Sequence, residues 1–322
     1  MRGGIMNRNI TDMTRFETLT DVVYDRQTGL MWTRSAAVSD FPLSWEEALT
    51  FIKDMNNESR FGYSDWKLPD RRELFSIVSR EAVNPSLPPG HPFVDVFSGY
   101  YWTSTSCARV PDQAWYIHFG GARVFKGMKY NSYMVWPVRV ADGDGKGTLP
   151  TGQHKCFDEK GLQIDCDNTG QDGEYKPETA LERRFAASAD VVYDRLTGLT
   201  WMKNADIGDG MIDWQSAFDT IAALNRQTAG GYDDWRLPDI VELESLIDMN
   251  RHSPALPADS PFINVSNFYW SSTTSRYDTD YAWVLYLIDG AVGVGYKTLT
   301  EFYLWPVRGE PSAWLPASSA LG

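Results

Sequence analysis

Apolar residues recur at two different spacings along the chain, and each spacing predicts a different element. Two short apolar runs, residues 22–24 and 30–32, flank a five-residue turn that ends in Gly29, an arrangement typical of a β-hairpin. Farther along, Ser44 stands where an N-cap belongs, and the apolar residues after it follow a helical spacing. Those residues are Trp45, Ala48, Leu49, Ile52 and Met55. The pattern therefore predicts a hairpin followed by an amphipathic helix.

A second, shorter helix is predicted after Pro69. Asp70 and Glu73 have the spacing of a capping box, in which each residue satisfies the other's free backbone N–H group at the start of a helix. The buried stripe of this helix would consist of Leu74, Ile77 and Val78. The two acids are thereby explained as helix-start residues rather than as a catalytic pair.

The remainder of this unit, from about residue 101 to 140, is predicted to consist of short strands and long loops. In one strand the apolar residues alternate with Tyr116 and His118, so one face should pack inward while the other faces solvent. The inward residues are Trp115, Ile117 and Phe119. Two helices followed by a run of strands predict an α+β fold.

The whole series occurs twice. Residues 21–32 recur as 190–201, 61–70 as 230–239, 101–105 as 269–273, and 136–139 as 305–308. Twelve of the thirteen tryptophans form six pairs, each separated by 168 or 169 residues, and only Trp314 is left over. The pairs are Trp32 with Trp201, Trp45 with Trp214, Trp66 with Trp235, Trp102 with Trp270, Trp115 with Trp283, and Trp136 with Trp305. A period this long indicates two tandem domains of one fold rather than a solenoid.

The repeat sets the expected domain organisation. It comprises an N-terminal arm at 1–19, a first domain at 20–140, a linker at 141–187, a second domain at 188–309 and a C-terminal tail at 310–322. The linker is rich in Gly, Asp, Thr and Gln, and it is expected to have little core of its own.

The linker contains Cys156 and Cys166, and a disulfide between them would close a small loop and stabilise the segment. Two free thiols are the alternative. If the disulfide forms, the chain matures in an oxidising compartment. Cys107 is expected to be free, because the second copy has Ser275 at the matching position. The run that begins at Asp142 resembles the start of a calcium loop, but its twelfth position is Gln rather than Glu, so no metal is expected.

Composition narrows the classes of partner. Apolar residues make up 43% of the chain, which is enough for real cores, and 30 Lys and Arg against 43 Asp and Glu give a net charge of −13. An acidic chain is a poor partner for nucleic acid or an anionic membrane. No apolar run is long enough to insert into a membrane. The N-terminus shows no signal peptide, so the protein either stays inside the cell or has lost a leader.

No catalytic constellation is visible. The four histidines are not matched between the copies, and no zinc, nucleophile-elbow or phosphate-loop motif occurs. Arg139 and Arg308 are expected to pair with acids as structural residues. Most tryptophans are expected to be core residues, with a sugar-stacking array as the alternative. We therefore expect no enzymatic activity and no cofactor.

The ordered motifs resemble the Lcl C-terminal domain family, named for the terminal domain of a bacterial collagen-like adhesin. They are Asp-x2-Thr-Gly-Leu-x-Trp, Asp-Trp-[Lys/Arg]-Leu-Pro-Asp-x2-Glu-Leu, Tyr-Trp-[Thr/Ser]-Ser-Thr and Pro-Val-Arg, and they occur in both copies. The resemblance implies two tandem C-type lectin-like domains, display outside the cytoplasm and adhesive binding. Calcium-lectin signatures are absent, and so are the reactive cysteines or histidine cluster of the sulfatase-activating relatives of this fold.

If the shared residues build the scaffold, specificity is expected where the copies differ, in stretches 106–113 and 120–133 and their counterparts. The candidate ligand-binding residues are Arg109, Tyr116, His118, Arg123, Lys126, Tyr130, Arg276, Tyr277, Tyr286 and Lys297. Arg109, Arg123 and Lys126 are expected to form a rim around Tyr116. The expected partner is a glycan or a protein. The alternatives are a structural subunit of a surface or pilus-like assembly, a homo-oligomer, solvated loops that drifted apart, and an oxidoreductase of the sulfatase-activating kind.

Overall fold

The computed structural model describes residues 15–141, 147–175 and 183–310. The first part of the N-terminal arm, the run that begins at Asp142 and the tail with Trp314 lie outside these ranges. Within them, no helix is long and apolar enough to cross a membrane.

Each copy folds as a mixed α+β domain with two short helices and antiparallel sheets. The first contains β1 (Phe16–Leu19), β2 (Val22–Asp25), β3 (Leu30–Thr33), α1 (Trp45–Asn57), α2 (Arg71–Ser76), β4 (Tyr100–Ser106), β5 (Gln113–His118), β6 (Arg123–Met128) and β7 (Val138–Val140). The linker contributes β8 (Cys156–Phe157), β9 (Gln163–Ile164) and α3 (Asp172–Tyr175). The second domain contains β10 (Phe185–Ala187), β11 (Val191–Asp194), β12 (Thr200–Met202), α4 (Trp214–Arg226), α5 (Ile240–Ser245), β13 (Phe268–Thr274), β14 (Tyr281–Tyr286), β15 (Ala291–Tyr296) and β16 (Val307–Arg308).

A small sheet gathers the ends of each domain. Its strand order is β1-β2-β3-β7 in the first domain and β10-β11-β12-β16 in the second. Strands β1 and β10 lie before the predicted domain starts at residues 20 and 188, so each domain begins one strand earlier than its motif. The two strands share only an Arg-Phe pair, Arg15-Phe16 and Arg184-Phe185, whose arginines bind the equivalent carboxylates of Asp25 and Asp194.

The other strands of both domains join into one six-stranded sheet of order β13-β14-β15-β6-β5-β4. Strands β6 and β15 meet at its centre, where Val124 pairs antiparallel with Val292. These two valines are equivalent positions of the repeat, so the domains are related by a pseudo-two-fold axis through this contact.

The inner face of the joined sheet carries a hydrophobic core that runs through both domains without interruption. Ile117 and Val124 of the first domain belong to the same buried cluster as Leu285 and Val292 of the second. Two smaller cores lie on the outer face, one under α1 and one under α4. The domains therefore share most of their buried apolar surface, which is the main source of stability in such a fold.

The tryptophan pairs confirm that the two halves share one fold. Trp45 and Trp214 each donate an indole N–H to the carbonyl of the equivalent strand residue, Thr103 or Ser271, at 2.8 Å in both cases. The same holds for Trp66 with Arg60 O and Trp235 with Ala229 O, for Trp102 with Leu43 O and Trp270 with Ile212 O, and for Trp136 with Thr33 O and Trp305 with Met202 O.

The local structural predictions are also confirmed. Ser44 caps α1, and reciprocal capping boxes begin α2 at Asp70 and α5 at Asp239. Arg139 and Arg308 pair with acids through two hydrogen bonds each, to Asp65 and Asp234. Arg139 and Arg308 are therefore structural residues.

The linker is not the loosely packed segment that its composition predicts. The expected Cys156–Cys166 disulfide is present, and Cys107 is free and buried. The Lys129 ammonium donates to the carbonyls of Phe157 and Asp158, at 2.8 and 3.1 Å. Hydrogen bonds of this kind hold the linker against the first domain, and the composition of the linker does not predict them.

Buried charges join the two domains. Arg72 donates to the Glu244 carboxylate and to the carbonyls of Glu244, Ser245, Ile247 and Pro150. Its neighbour Arg71 donates to Gly290 O and lies over the Trp115 ring at 4.3 Å. The matching positions of the repeat hold Ile240 for Arg71, Val241 for Arg72 and Phe75 for Glu244. The interface is thus two-fold in its backbone but asymmetric in its charges.

Candidate functional site

The outer face of β4, β5 and β6 carries the largest concentration of the sequence-predicted residues. Register places Tyr100 opposite His118 and His118 opposite Arg123, so these three side chains share one face. Tyr116 lies on the same face, opposite Trp102 and Phe125. Helix α1 covers one end of this face and leaves the other end partly open to solvent.

Four rings form a connected cluster, which we call the aromatic surface: Tyr100, Tyr116, His118 and Tyr133. The Tyr100 centroid lies 5.1 Å from that of Tyr116, 4.8 Å from that of His118 and 5.1 Å from that of Tyr133. Tyr116 and Tyr133 are 5.0 Å apart. Tyr100 is 42% exposed, whereas the others are half-buried. The cluster therefore presents ring edges and hydroxyl groups to solvent on a rigid strand framework.

Two glycines make room for these rings. A Cβ at Gly127 would lie 2.7 Å from the Tyr133 hydroxyl oxygen, and one at Gly120 would lie 2.8 Å from Cε1 of His118. Any larger residue at either position would displace a ring of the cluster. The rings are held in place from below as well, because Trp102 packs against Tyr133 at 4.3 Å.

Burial decides the protonation states of the aromatic surface. It raises the pKa of Tyr116 to about 12, and the neighbouring Tyr133 and Tyr100 act in the same direction. Burial also lowers the pKa of His118, and the nearby Arg123 guanidinium adds to this effect. At neutral pH Tyr116 therefore offers a neutral hydroxyl and His118 a neutral imidazole, with the exposed Arg123 side chain beside them.

The second domain builds the same surface without most of its polar atoms. Phe268 replaces Tyr100, Val284 replaces Tyr116, Phe302 replaces Tyr133 and Ala291 replaces Arg123. Tyr286 stands at the position of His118 and packs against Phe268 at 5.5 Å. The copies have thus diverged in hydrogen-bonding capacity at positions that are otherwise structurally equivalent.

The expected rim around Tyr116 is only partly assembled. Lys126 pairs with Trp115 in the strand register, so it points to the inner face, away from Tyr116. There its ammonium binds the Asp289 carboxylate of the second domain, and Arg109 lies 3.9 Å from the same carboxylate. Of the three predicted rim residues, only Arg123 lies with Tyr116.

The remaining predicted residues are dispersed. Arg276 pairs with Glu81 across the domain boundary at 3.1 Å. Tyr277 is 63% exposed and lies near the β5–β6 turn at Gly121. Tyr130 is exposed in a turn, and Lys297 lies over the Trp214 ring at 4.2 Å. The structure brings Tyr116, His118 and Arg123 together, with Tyr277 near the turn between their strands.

Sequence reasoning missed Tyr100 and Tyr133. The sequence does contain a signal for Tyr100: it precedes Tyr101, a residue of the repeated motif that packs inward, so it must face the opposite way. Tyr133 lies outside any strand, and it reaches the surface through a backbone bridge to Leu43, with mutual hydrogen bonds of 2.8 and 2.9 Å. No local pattern indicates that contact.

Chemically, the aromatic surface carries groups that can recognise a ligand. Flat rings stack on the C–H faces of sugars or on apolar side chains, and tyrosine hydroxyls and a guanidinium fix the orientation of a polar ligand. Within the described ranges, no three His, Cys, Asp or Glu side chains lie together as metal ligands would.

Comparison with known protein families identifies the repeat. The model of the Lcl C-terminal domain matches residues 21–139 and, a second time, residues 190–308. No curated protein is similar enough to the chain to be matched.

Proposed function

Because both halves match its model, the chain belongs to the Lcl C-terminal domain family, and on this premise we propose that it is a non-enzymatic, extracytoplasmic binding protein of adhesin-like type. Its ligand is a glycan or a protein segment, held on the aromatic surface of the first domain. The C-type lectin-like character of each domain is part of the same proposal, supported by the pairing of two helices with twisted antiparallel strands.

One observation carries the proposal. The first domain places three tyrosines and a histidine side by side on a partly exposed sheet face, and the second domain replaces most of their polar atoms. A scaffold that only needed to fold could use the apolar set in both copies. Hydroxyl groups retained at an exposed face fit a role in orienting a ligand.

Two further features support the location and the absence of catalysis. The Cys156–Cys166 disulfide is typical of proteins that mature in an oxidising compartment. His118, the basic group of the surface, contacts the Tyr100 ring and lies opposite Arg123. The other three side chains of the aromatic surface are tyrosines, so the surface itself has no serine or cysteine nucleophile.

The test uses substitutions that the second domain already carries. The full chain is first screened on a glycan array and against extracellular-matrix proteins. Tyr116→Val and Tyr100→Phe, which copy Val284 and Phe268, are then compared with wild type for the ligand found. We expect each to weaken binding by about 5- to 150-fold, the range for loss of an anchor residue. Thermal unfolding of both variants should stay close to wild type.

The matched control is Tyr286→Phe, which removes a hydroxyl from the equivalent surface of the second domain. Binding should be unchanged in this variant. Wild-type binding by Tyr116→Val, Tyr100→Phe and Arg123→Ala together would place the ligand elsewhere. If the same variants also self-associate like wild type at high concentration, the structural-subunit alternative would be the better account.

A further inference from the structure

The linker covers one face of the first domain, and the equivalent face of the second domain has no such cover within the described ranges. The covered face lies at the free edge of β4 and the start of α1. Its residues are at most 7% exposed, and they are Trp45, Leu49, Thr105, Ser106 and Lys129. Their equivalents in the second domain are all partly exposed, and we call them the open face: Trp214, Phe218, Thr273, Thr274 and Lys297.

Two side chains of the linker complete the free edge of β4. The Gln153 amide pairs with the backbone of Ser106, because it accepts from the N–H at 2.8 Å and donates to the C=O at 2.7 Å. The Asp172 carboxylate accepts from the Thr105 hydroxyl at 2.8 Å. The backbone groups of an edge strand need partners of this kind, so the linker here takes the place of a further strand.

The hairpin of β8 and β9 supplies the third contact of the linker. The ammonium of Lys129, which binds two carbonyls of this hairpin, lies over the Trp45 ring at 4.0 Å. A Cβ at Gly161, in the turn of the hairpin, would lie 2.8 Å from the backbone N of Asp112. The hairpin therefore lies directly against the first domain.

The open face keeps the side chains to which the linker binds in the first domain. The Lys297 ammonium lies over the Trp214 ring at 4.2 Å, and it donates to the Thr274 hydroxyl at 2.9 Å in place of hairpin carbonyls. The Thr273 hydroxyl accepts from the Ile240 N–H at 3.1 Å, and its own proton has no acceptor among the residues that the structure describes. In the first domain the equivalent proton goes to the linker.

The backbone of Thr274 faces the free edge of β13. Ser275 donates across the sheet to Tyr281 O at 2.9 Å, and in an antiparallel ladder the preceding residue points the opposite way. The N–H and C=O of Thr274 therefore point to the free edge, where the same groups of Ser106 meet the linker. In the described part of the chain neither group of Thr274 has a hydrogen-bond partner.

We propose that the open face binds an extended polypeptide segment of another protein chain, one that presents the same groups as the linker. A side-chain amide would pair with the Thr274 backbone, a carboxylate with the Thr273 hydroxyl, and backbone carbonyls with the Lys297 ammonium. A segment that adds to a strand edge in this way gains affinity from the main-chain groups of that edge.

A second copy of this chain is a poorer occupant than another protein, because its linker is already bound to its own first domain. The open face belongs to the second domain and shares no residue with the aromatic surface. The proposal therefore does not depend on the function proposed for that surface.

The probe is a fluorescently labelled peptide of residues 153–175, oxidised to the Cys156–Cys166 disulfide. This segment contains internal bonds that favour its shape, since the Gln171 side chain pairs with both backbone groups of Phe157, at 2.9 and 3.0 Å. The peptide is titrated with the full chain, in which the linker occupies the first domain, and fluorescence anisotropy follows the binding. We expect a saturable rise in anisotropy.

Substitutions in the peptide test the contacts without any effect on the folding of the protein. Gln153→Ala and Asp172→Asn should each weaken binding by about tenfold, because each removes hydrogen bonds to the open face. Gln163→Ala and Glu159→Gln are the matched controls, since both side chains are exposed in the linker, and they should bind like the unchanged peptide. Lys297→Met in the protein should also weaken binding, with thermal unfolding as the check on its fold.

Hydrogen–deuterium exchange locates the bound peptide. Residues 272–276 should gain protection, because the Thr274 N–H acquires an acceptor. The equivalent residues 104–108 are already covered by the linker, so their exchange should not change. Tyr116→Val, which alters only the aromatic surface, should bind the peptide like wild type.

Three outcomes would overturn the proposal. The first is the absence of saturable binding. The second is equal affinity of the unchanged peptide, the Gln153→Ala peptide and the Asp172→Asn peptide, since binding would then not use the groups of the linker. The third is a change of exchange at residues 104–108 in place of 272–276, which would mean that the peptide replaces the linker on the first domain and does not bind the open face.

Discussion

Removal of the Arg72 guanidinium should loosen the interface between the domains. The side chain is 4% exposed, and it donates to the Glu244 carboxylate at 3.3 Å and to carbonyls of Glu244, Ser245 and Ile247 at 2.8–3.0 Å. These carbonyls lie at the C-terminal end of α5, where a cation is favourable. Arg72→Met keeps most of the aliphatic stem and deletes every one of these bonds.

The expected loss of stability follows from the acceptors that Arg72→Met leaves without a donor. Hydrogen bonds to a charged group are each worth about 1.5–3 kcal/mol, but they do not add fully, because some of the freed carbonyls can be rehydrated. Glu244 also loses one of its two cations and keeps only Arg71, at 3.8 Å. Removing one partner of a buried ion pair typically lowers the free energy of unfolding by about 3–5 kcal/mol. We expect a loss of this size for Arg72→Met.

The assay is urea denaturation of the full chain, followed by tryptophan fluorescence. Arg60→Met is the matched control, because the Arg60–Glu58 pair is exposed and should contribute no more than about 1 kcal/mol. A cycle with Glu244→Gln should show a coupling of about 1–3 kcal/mol between the two positions. A loss for Arg72→Met that matches the Arg60→Met control would refute the view that this arginine holds the domains together.

Three further predictions concern the linker and the core. Burial lowers the pKa of Lys129 from 10.5 to about 7. Between pH 7 and pH 10.5 the unfolded chain therefore binds more protons than the folded chain, so the free energy of unfolding should rise with pH by up to about 1.4 kcal/mol per pH unit. Lys129→Met should remove that slope in urea titrations across this window, whereas the more exposed Lys297→Met should not. Paired Cys156→Ser and Cys166→Ser substitutions should lower the free energy of unfolding by about 2–3 kcal/mol, and peptide mapping without reductant should find Cys107 as the alkylatable thiol. Trp66→Ala should destabilise the chain by about 3–5 kcal/mol, as measured by thermal unfolding beside Tyr116→Val, which should change stability far less.

What the sequence could predict was local or repeated. The hairpin at residues 22–32, the capped helices and the register of the tryptophans all follow from spacing within a few residues or from comparison of the two copies. The disulfide follows from two cysteines in one short segment. Each of these features depends on residues that are close in the chain or matched by the repeat, so a single sequence contains the necessary information.

What it could not predict depends on pairing between distant segments. Nothing in the sequence of β6 indicates that Val124 will pair with Val292, 168 residues away. Lys126 was expected at a solvent-facing rim for the same reason, since its acceptor, Asp289, belongs to the other domain. Strand alternation by itself places Lys126 on the same, inward face as Val124. A lysine is expected on an apolar face only where an acceptor is available, and here the acceptor belongs to the second domain.

The central pairing of β6 with β15 sets a limit on assembly. Each domain contributes the same strand edge, so the contact has the symmetry of an isologous dimer, which closes once two copies have met. Stacked repeats behave differently, because each unit keeps one face free for the next. A true homodimer must carry identical residues on both sides of its axis. Fusion of the two copies into one chain lifts that requirement, so Arg71, Lys126 and Asp289 can make charged contacts on one side while their equivalents, Ile240, Val294 and Gly121, carry no charge.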